Sequence, residues 1–514
     1  MPNPIILFLL IFSNCSDPWQ NIHEQGRIPV IEPDYTGVTI PVNIAPMNFI
    51  IKEKGKNYRI RAVSGDGEWV IDIKSSDGIV CFPLKSWKKL LNKSRGDKLK
   101  IEILVSDRND SAKKFEPFFM RVAEEPVDPW LVYRLINPGY YSWSGIKIMQ
   151  RCLENFKEEI LLDNSVLDKN CINCHSFASN SPGRFLVHIR GSRSGTYIVD
   201  NGIITRTDPK IESMPGSATY PSWHPGGRYV VFSSNQVRQS FYAGAKKSIE
   251  VFDLASSLIL YDTKGNDIMS INEDDTNNYF RTFPGWSNDG KYIYYCRAIN
   301  HNRGNNPEMA DILNTHYDLV RKPFNEETRS FGKTEIIFAA AGYDKSVSFP
   351  RVSQDGKYLV FTLHDFGTFP IWHAEADLYI LNLKNGEVNK MDINSTEAES
   401  YHSWSVNSRW LVFSSKRSDG RSTRPYFAYI EQDGRSGKPF ILPQKDPELY
   451  NSMLESFNIP EFVTGRIDAG PRDFEAAGRQ EALRATDGDP ADDSVPVKPA
   501  YNPDTATMSR PVHQ

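Results

Sequence analysis

Long hydrophobic runs are nearly missing from these 514 residues. The one stretch of targeting character, Ile5 to Phe12, is far short of the roughly 20 apolar residues that a transmembrane helix needs. A charge excess of one sign is missing too. Lys and Arg number 60 against 64 Asp and Glu, a formal net charge of −4, which gives no general attraction to a phosphate backbone and sets nucleic acid aside as a partner. Cysteine is scarce: six residues, at 15, 81, 152, 171, 174 and 296, do not make a disulfide framework once 15 and the 171/174 pair are given separate chemistry. The common catalytic words are absent as well. There is no Gly-x-Ser-x-Gly elbow, no Walker loop, no Gly-x-Gly-x-x-Gly after a strand, and His23-Glu24 lacks the second histidine of a metalloprotease helix. Nothing in the sequence therefore argues for an enzyme.

What is present points to β structure. Aromatics make up 12%, with 33 Gly and 33 Pro, a turn-rich composition. From Pro33 to Ala123 the apolar residues alternate, as in Tyr58-Arg59-Ile60-Arg61-Ala62-Val63, so residues 33–123 are expected to form a small β-sandwich with a short helical insert carrying Leu84, Trp87 and Leu91. Residues 124–182 have helical spacing in Trp130 to Ile136 and Met149 to Leu162, and are expected to be a helical connector. Beyond it one word recurs four times, starting at Tyr220, Phe283, Phe349 and Tyr401; Tyr220-Pro221-Ser222-Trp223 and Phe283-Pro284-Gly285-Trp286 open the first two. Each copy pairs an aromatic anchor and a polar turn with an apolar strand. Repeats of this length that cannot bury themselves alone imply a propeller or solenoid. After Gly465 large apolar side chains become rare, and residues 465–514 are expected to be a disordered tail.

The connector carries Cys171-Ile172-Asn173-Cys174-His175. Cys-x-x-Cys-His is the attachment signature of c-type haem, in which two thiols bind the porphyrin and the histidine becomes the proximal iron ligand. Half a zinc site, a redox dithiol or an inert pair remain as alternatives. For the distal ligand, His188 ranks first, then His224, then Met214. Cys296 aligns with Ser233, Thr362 and Ser414, a small-residue slot that suits a buried thiol.

Two resemblances organise these observations. The apolar core before Ser13-Asn14-Cys15 is similar to a lipoprotein signal, which implies a signal peptide at 1–14, lipid on Cys15, a tether over 15–32 and a place in the cell envelope as an outer-membrane lipoprotein. The aromatic-x-x-Trp-Ser-x-Asp-Gly-Lys-Tyr repeat resembles the TolB-type propeller, which implies five or six blades over 183–464. Together with Asp128-Pro129-Trp130 and Asn458-Ile459-Pro460-Glu461-Phe462, the chain resembles Bacteroidetes-type TolB-like or cytochrome c-type lipoproteins. That likeness implies one covalent haem c and electron transfer or redox sensing. The alternative is an interaction module whose propeller face binds envelope proteins or glycans, with a vestigial haem motif.

Overall fold

The computed structural model describes residues 22–107, 111–137, 145–242, 249–271, 279–301 and 308–488. The expected signal peptide, Cys15, the start of the expected tether and the chain after 488 lie outside the described residues. No helix among them is long and apolar enough to cross a membrane. The chain divides into two units, the smaller made of 1–38, 46–123 and 443–449 and the larger of the rest.

In the smaller unit, Asn57–Val63 alternates strictly between buried and half-exposed residues and pairs with Val70–Ser75 and Lys98–Ser106. A three-stranded sheet of Ile31–Glu32, Phe49–Ile51 and Ile79–Val80 lies beside this larger one, and the Phe49 and Phe118 rings meet across them at 6.0 Å. The helix Leu84–Lys93 buries Trp87, Leu90 and Leu91; Leu84 is exposed at its start.

The larger unit is built from six sheets among the described residues, each with an inner strand: Ser456–Val463 (sheet I), Cys171–Phe177 (II), Ser217–Trp223 (III), Tyr279–Trp286 (IV), Ser346–Val352 (V) and Glu399–Trp404 (VI). These inner strands touch one another in a closed cycle, I to II and on to VI and back to I. The architecture is mainly β and propeller-like.

The repeated word explains the closure. Its first residue takes a left-handed backbone, with φ of 47° at Tyr220, 53° at Phe283 and Phe349, and 48° at Tyr401. Such a conformation costs a bulky residue on the order of 1–3 kcal/mol and needs support from its surroundings. The support comes from rings packed on rings, with centroids 4.5 Å apart for Tyr220 and Phe283, 4.0 Å for Phe283 and Phe349, and 4.9 Å for Phe349 and Tyr401. In three of the four copies a tryptophan three residues later ties its sheet to the one before; the copy at Phe349 has Val352 there. Trp223 Nε1 donates to Ser176 O, Trp286 Nε1 to Ser222 O and Trp404 Nε1 to Arg351 O, each at 3.1 Å.

Two expectations are corrected. Residues 124–182 are not a helical connector: Trp130–Ile136, Lys147–Cys152 and Glu158–Asp163 are strands, and they complete sheet I around Ser456–Val463. Trp130–Ile136 is buried on both faces, and a two-sided apolar run has no period that separates helix from strand. Nor is the tail disordered throughout. Pro471–Gly478 is helical and seats Phe474 in the core beside Leu167 and Tyr197. Leu483–Arg484 and Thr486–Asp487 then extend sheets II and III in parallel. Phe474 is 0% exposed, so Phe474→Ala is expected to cost about 3–5 kcal/mol in chemical denaturation.

Candidate functional site

The inner strands surround a cavity of about 220 Å³. Its lining draws on all six sheets and includes Cys174, His175, Tyr220, Arg351, His402 and Glu461. Cys174 occupies the place that Tyr220, Phe283, Phe349 and Tyr401 hold in sheets III to VI, since Cys174-His175-Ser176-Phe177 follows the same word as Tyr220-Pro221-Ser222-Trp223. Ile459-Pro460-Glu461-Phe462 is the copy in sheet I, and Ile459 shares the left-handed backbone with φ of 50°. In sheet II the pairing irregularity falls between Ile172 and Cys174 instead. A thiol thus replaces a ring at one place around the axis.

The cavity concentrates titratable groups. His175 Nε2 lies 3.8 Å from Glu461 Oε1, and the imidazole is 1% exposed. Neither of its ring nitrogens completes a hydrogen bond, although the Ile459 backbone also faces it. Burial pushes His175 and His402 down to about 3, so both imidazoles are neutral. Burial pushes Glu461 up to about 7, and its other oxygen accepts from Phe177 N at 3.3 Å. Arg134 Nη1 donates to the carbonyls of Ile172, at 3.2 Å, and Asn173. Arg351 Nη1 donates to those of Pro284 at 3.2 Å and Pro350 at 3.0 Å.

The haem expectation meets this geometry poorly. Cys171–Phe177 is a strand with a pairing irregularity between Ile172 and Cys174, and Cys174 and His175 both line the cavity. Cys174 pairs in register with His188, and His175 with Val187. His175 shares its face with Phe177, which stacks on Phe185 with centroids 5.0 Å apart. Cys171 packs in the core with Leu167, Ile172 and Phe474 and is not a lining residue of the cavity. One macrocycle cannot meet both thiols and the imidazole while this strand stays in its sheet, so the residues as arranged do not fit a c-type haem. Among the described residues no group of three or more His, Cys, Asp or Glu is placed to hold a metal ion.

The three distal candidates are not brought to His175. His188 faces the opposite side of sheet II, with Nδ1 3.1 Å from Thr196 Oγ1. His224 belongs to a turn: its Nδ1 accepts from Gly226 N at 3.1 Å, and its ring packs edge-on against Trp286 at 4.8 Å. The other repeats close this turn with a serine, as where Ser287 and Ser353 each reach an aspartate at 2.7 Å. Met214 is buried in a core with Trp223 and Leu186, its sulfur 3.5 Å from Ile211 N. Sequence reasoning missed Arg351 and Glu461. Aligning the Arg351 and Glu461 positions with Ser176, Ser222, Gly285 and Ser403 was the signal that could have found them.

Cys152, Cys171, Cys174 and Cys296 are buried and Cys81 is exposed, and burial pushes the Cys171 and Cys174 thiols up. Among these five, a maleimide applied to the native protein is expected to label Cys81 alone. Peptide mapping checks this; prompt labelling at Cys174 would show that the strand opens.

No protein-family model matches the chain, and no curated protein matches it. Solved structures with a similar, propeller-like course include oligogalacturonate lyase from Vibrio parahaemolyticus, with 12% identity, 59% of this chain and 92% of that chain covered, and a TM-score of 0.32. Prolyl oligopeptidase B from Galerina marginata gives 11% identity, 60% and 42% coverage and a TM-score of 0.36. The Dos1 propeller gives 13%, 47%, 66% and 0.28.

Proposed function

We propose that this chain is a six-bladed, TolB-like propeller, exported and lipid-anchored at Cys15, that binds a small ligand in its axial cavity and performs no catalysis of its own. The observation that carries this reading is the convergence of His175, Arg351, His402 and Glu461 from four different sheets on one cavity. Buried ionisable groups cost stability unless paired, and here His175 has neither ring nitrogen bonded. In this reading the Cys171–His175 word serves as the inner strand of the second blade. Binding of envelope proteins or glycans at a propeller face is compatible with it.

The second reading is the haem protein, favoured by the Cys-x-x-Cys-His match and by a neutral, unbonded imidazole beside Cys174. It requires residues 171–175 to leave their sheet. Intact-mass spectrometry under denaturing conditions, on protein purified from its native organism, separates the two. The binding-module reading expects an acyl-modified polypeptide with free thiols at 171 and 174. Covalent mass at both thiols would overturn it in favour of the haem protein.

A further inference from the structure

We propose that the ligand of the axial cavity is a small organic acid whose carboxylate is held by Arg351, with the Ser403 hydroxyl and the His175 imidazole as further polar partners. This rests on the reading of the cavity as a ligand site and names the chemistry it takes.

Positive charge exceeds negative charge in the cavity. The lining contains three guanidiniums, Arg134, Arg190 and Arg351, and a single carboxylate, Glu461. The hydrogen bonds of Arg351 Nη1 run to main-chain carbonyls, which orient a guanidinium without neutralising it. No ion pair among the described residues involves Arg190 or Arg351, and Arg190 Nε is buried without a partner. Glu461 accepts from Phe177 N, faces His175 and is the one carboxylate whose charge acts on Arg351, which leaves one acid against three guanidiniums in the lining. A cation drawn out of water without a counter-ion costs several kcal/mol, and a carboxylate is its planar complement, able to take two parallel N–H bonds from the fork.

The remaining donors fit the same occupant. Ser403 Oγ is buried and lacks a partner, and neither nitrogen of His175 is bonded; both residues line the cavity. A neutral imidazole carries one N–H donor, and a serine hydroxyl another. At about 220 Å³ the cavity has room for a compact organic acid. Aromatic rings of Tyr220, Phe349 and Tyr401 supply an apolar wall for its carbon part.

The test has two arms on the full-length protein. In the first, protein purified from its native organism is denatured and the released small molecules are identified by mass spectrometry. A carboxylic acid is expected. A released molecule without a carboxylate overturns the acid while leaving the ligand site intact, and release of nothing counts against both. In the second, isothermal titration compares succinate and benzoate with succinamide and benzamide. At least one acid is expected to bind ten-fold or more tighter than its amide; equal affinities, or no binding by either acid, overturn the proposal. Arg351→Gln is expected to weaken that acid at least ten-fold. Ser403→Ala, which removes one hydroxyl and keeps the backbone, is expected to weaken it several-fold, while Arg435→Gln, at an exposed pair with Asp433, leaves it unchanged. Unchanged affinity in both cavity variants contradicts the assignment.

Discussion

A chain that stops at Glu455 is expected to lose its cooperative unfolding transition, whereas one that stops at Gly488 keeps it. The first truncation removes Ser456–Val463, the inner strand of sheet I, which pairs along Trp130–Ile136. Phe457 packs on Tyr133 at 4.7 Å and Phe462 on Phe427 at 5.7 Å; both phenylalanines and Val463 are at most 2% exposed. Losing each buried phenylalanine alone costs about 3–5 kcal/mol, and an unpaired inner edge adds exposed N–H and C=O groups. The sum approaches the roughly 5–15 kcal/mol that holds an ordinary domain. It also opens the cycle of inner strands, so the loss spreads to sheets II and VI. Thermal melts followed by circular dichroism check both chains, and a wild-type midpoint for the Glu455 truncation would contradict the closure.

The second large effect is with pH. Burial pushes His175, His188 and His402 each down to about 3, against about 6.5 in an unfolded chain. Their contribution is complete above pH 6.5 and is lost as the pH falls toward 3, because the unfolded state takes up the protons first. Burial acts in the opposite sense on acids: Asp128 and Asp253 are raised to about 6 and Glu461 to about 7. These protonate first in the folded state and so favour it as the pH drops toward 4. The two groups of three largely offset one another between about pH 6.5 and 4. Below about pH 4 those three acids are neutral in both states, and the three imidazoles contribute a slope of ~4 kcal/mol per pH unit, added to that of carboxylates held low by their partners, such as Glu375 at about 2. Denaturant titrations from pH 7 to 3 are expected to show a shallow region and then a steep fall. His188→Gln is expected to remove about a third of the imidazole contribution; an unchanged slope would show that His188 titrates normally.

How much of this was readable in the residues depends on where the physical signal is local. The four repeats were legible because each places an aromatic, a polar turn and a strand within fourteen residues. The inner strands of sheets I and II were not recognised as copies, because cysteine or isoleucine stands where the others have a ring, and phenylalanine where three have tryptophan. The partner of Trp130–Ile136 lies over 300 residues away at Ser456–Val463, and no local period announces such a pairing. The ordered part of the tail hangs on Phe474 and on two short parallel edges, too little apolar content to register in composition. The Cys-x-x-Cys-His word is real as a sequence pattern, yet a pattern does not say whether its residues fold as a turn or as a strand. Here the strand keeps Cys171 in the core while Cys174 and His175 line the cavity, and the charge of that cavity became visible only when Arg351 and Glu461 arrived from other sheets.

The most direct measurement is a crystal structure of protein purified from its native organism, without added ligands. Density for a small acid inside the cavity, touching Arg351 and His175 with the thiols of Cys171 and Cys174 free, is the predicted result. A macrocycle joined to those thiols, or solvent alone around Arg351, would contradict it.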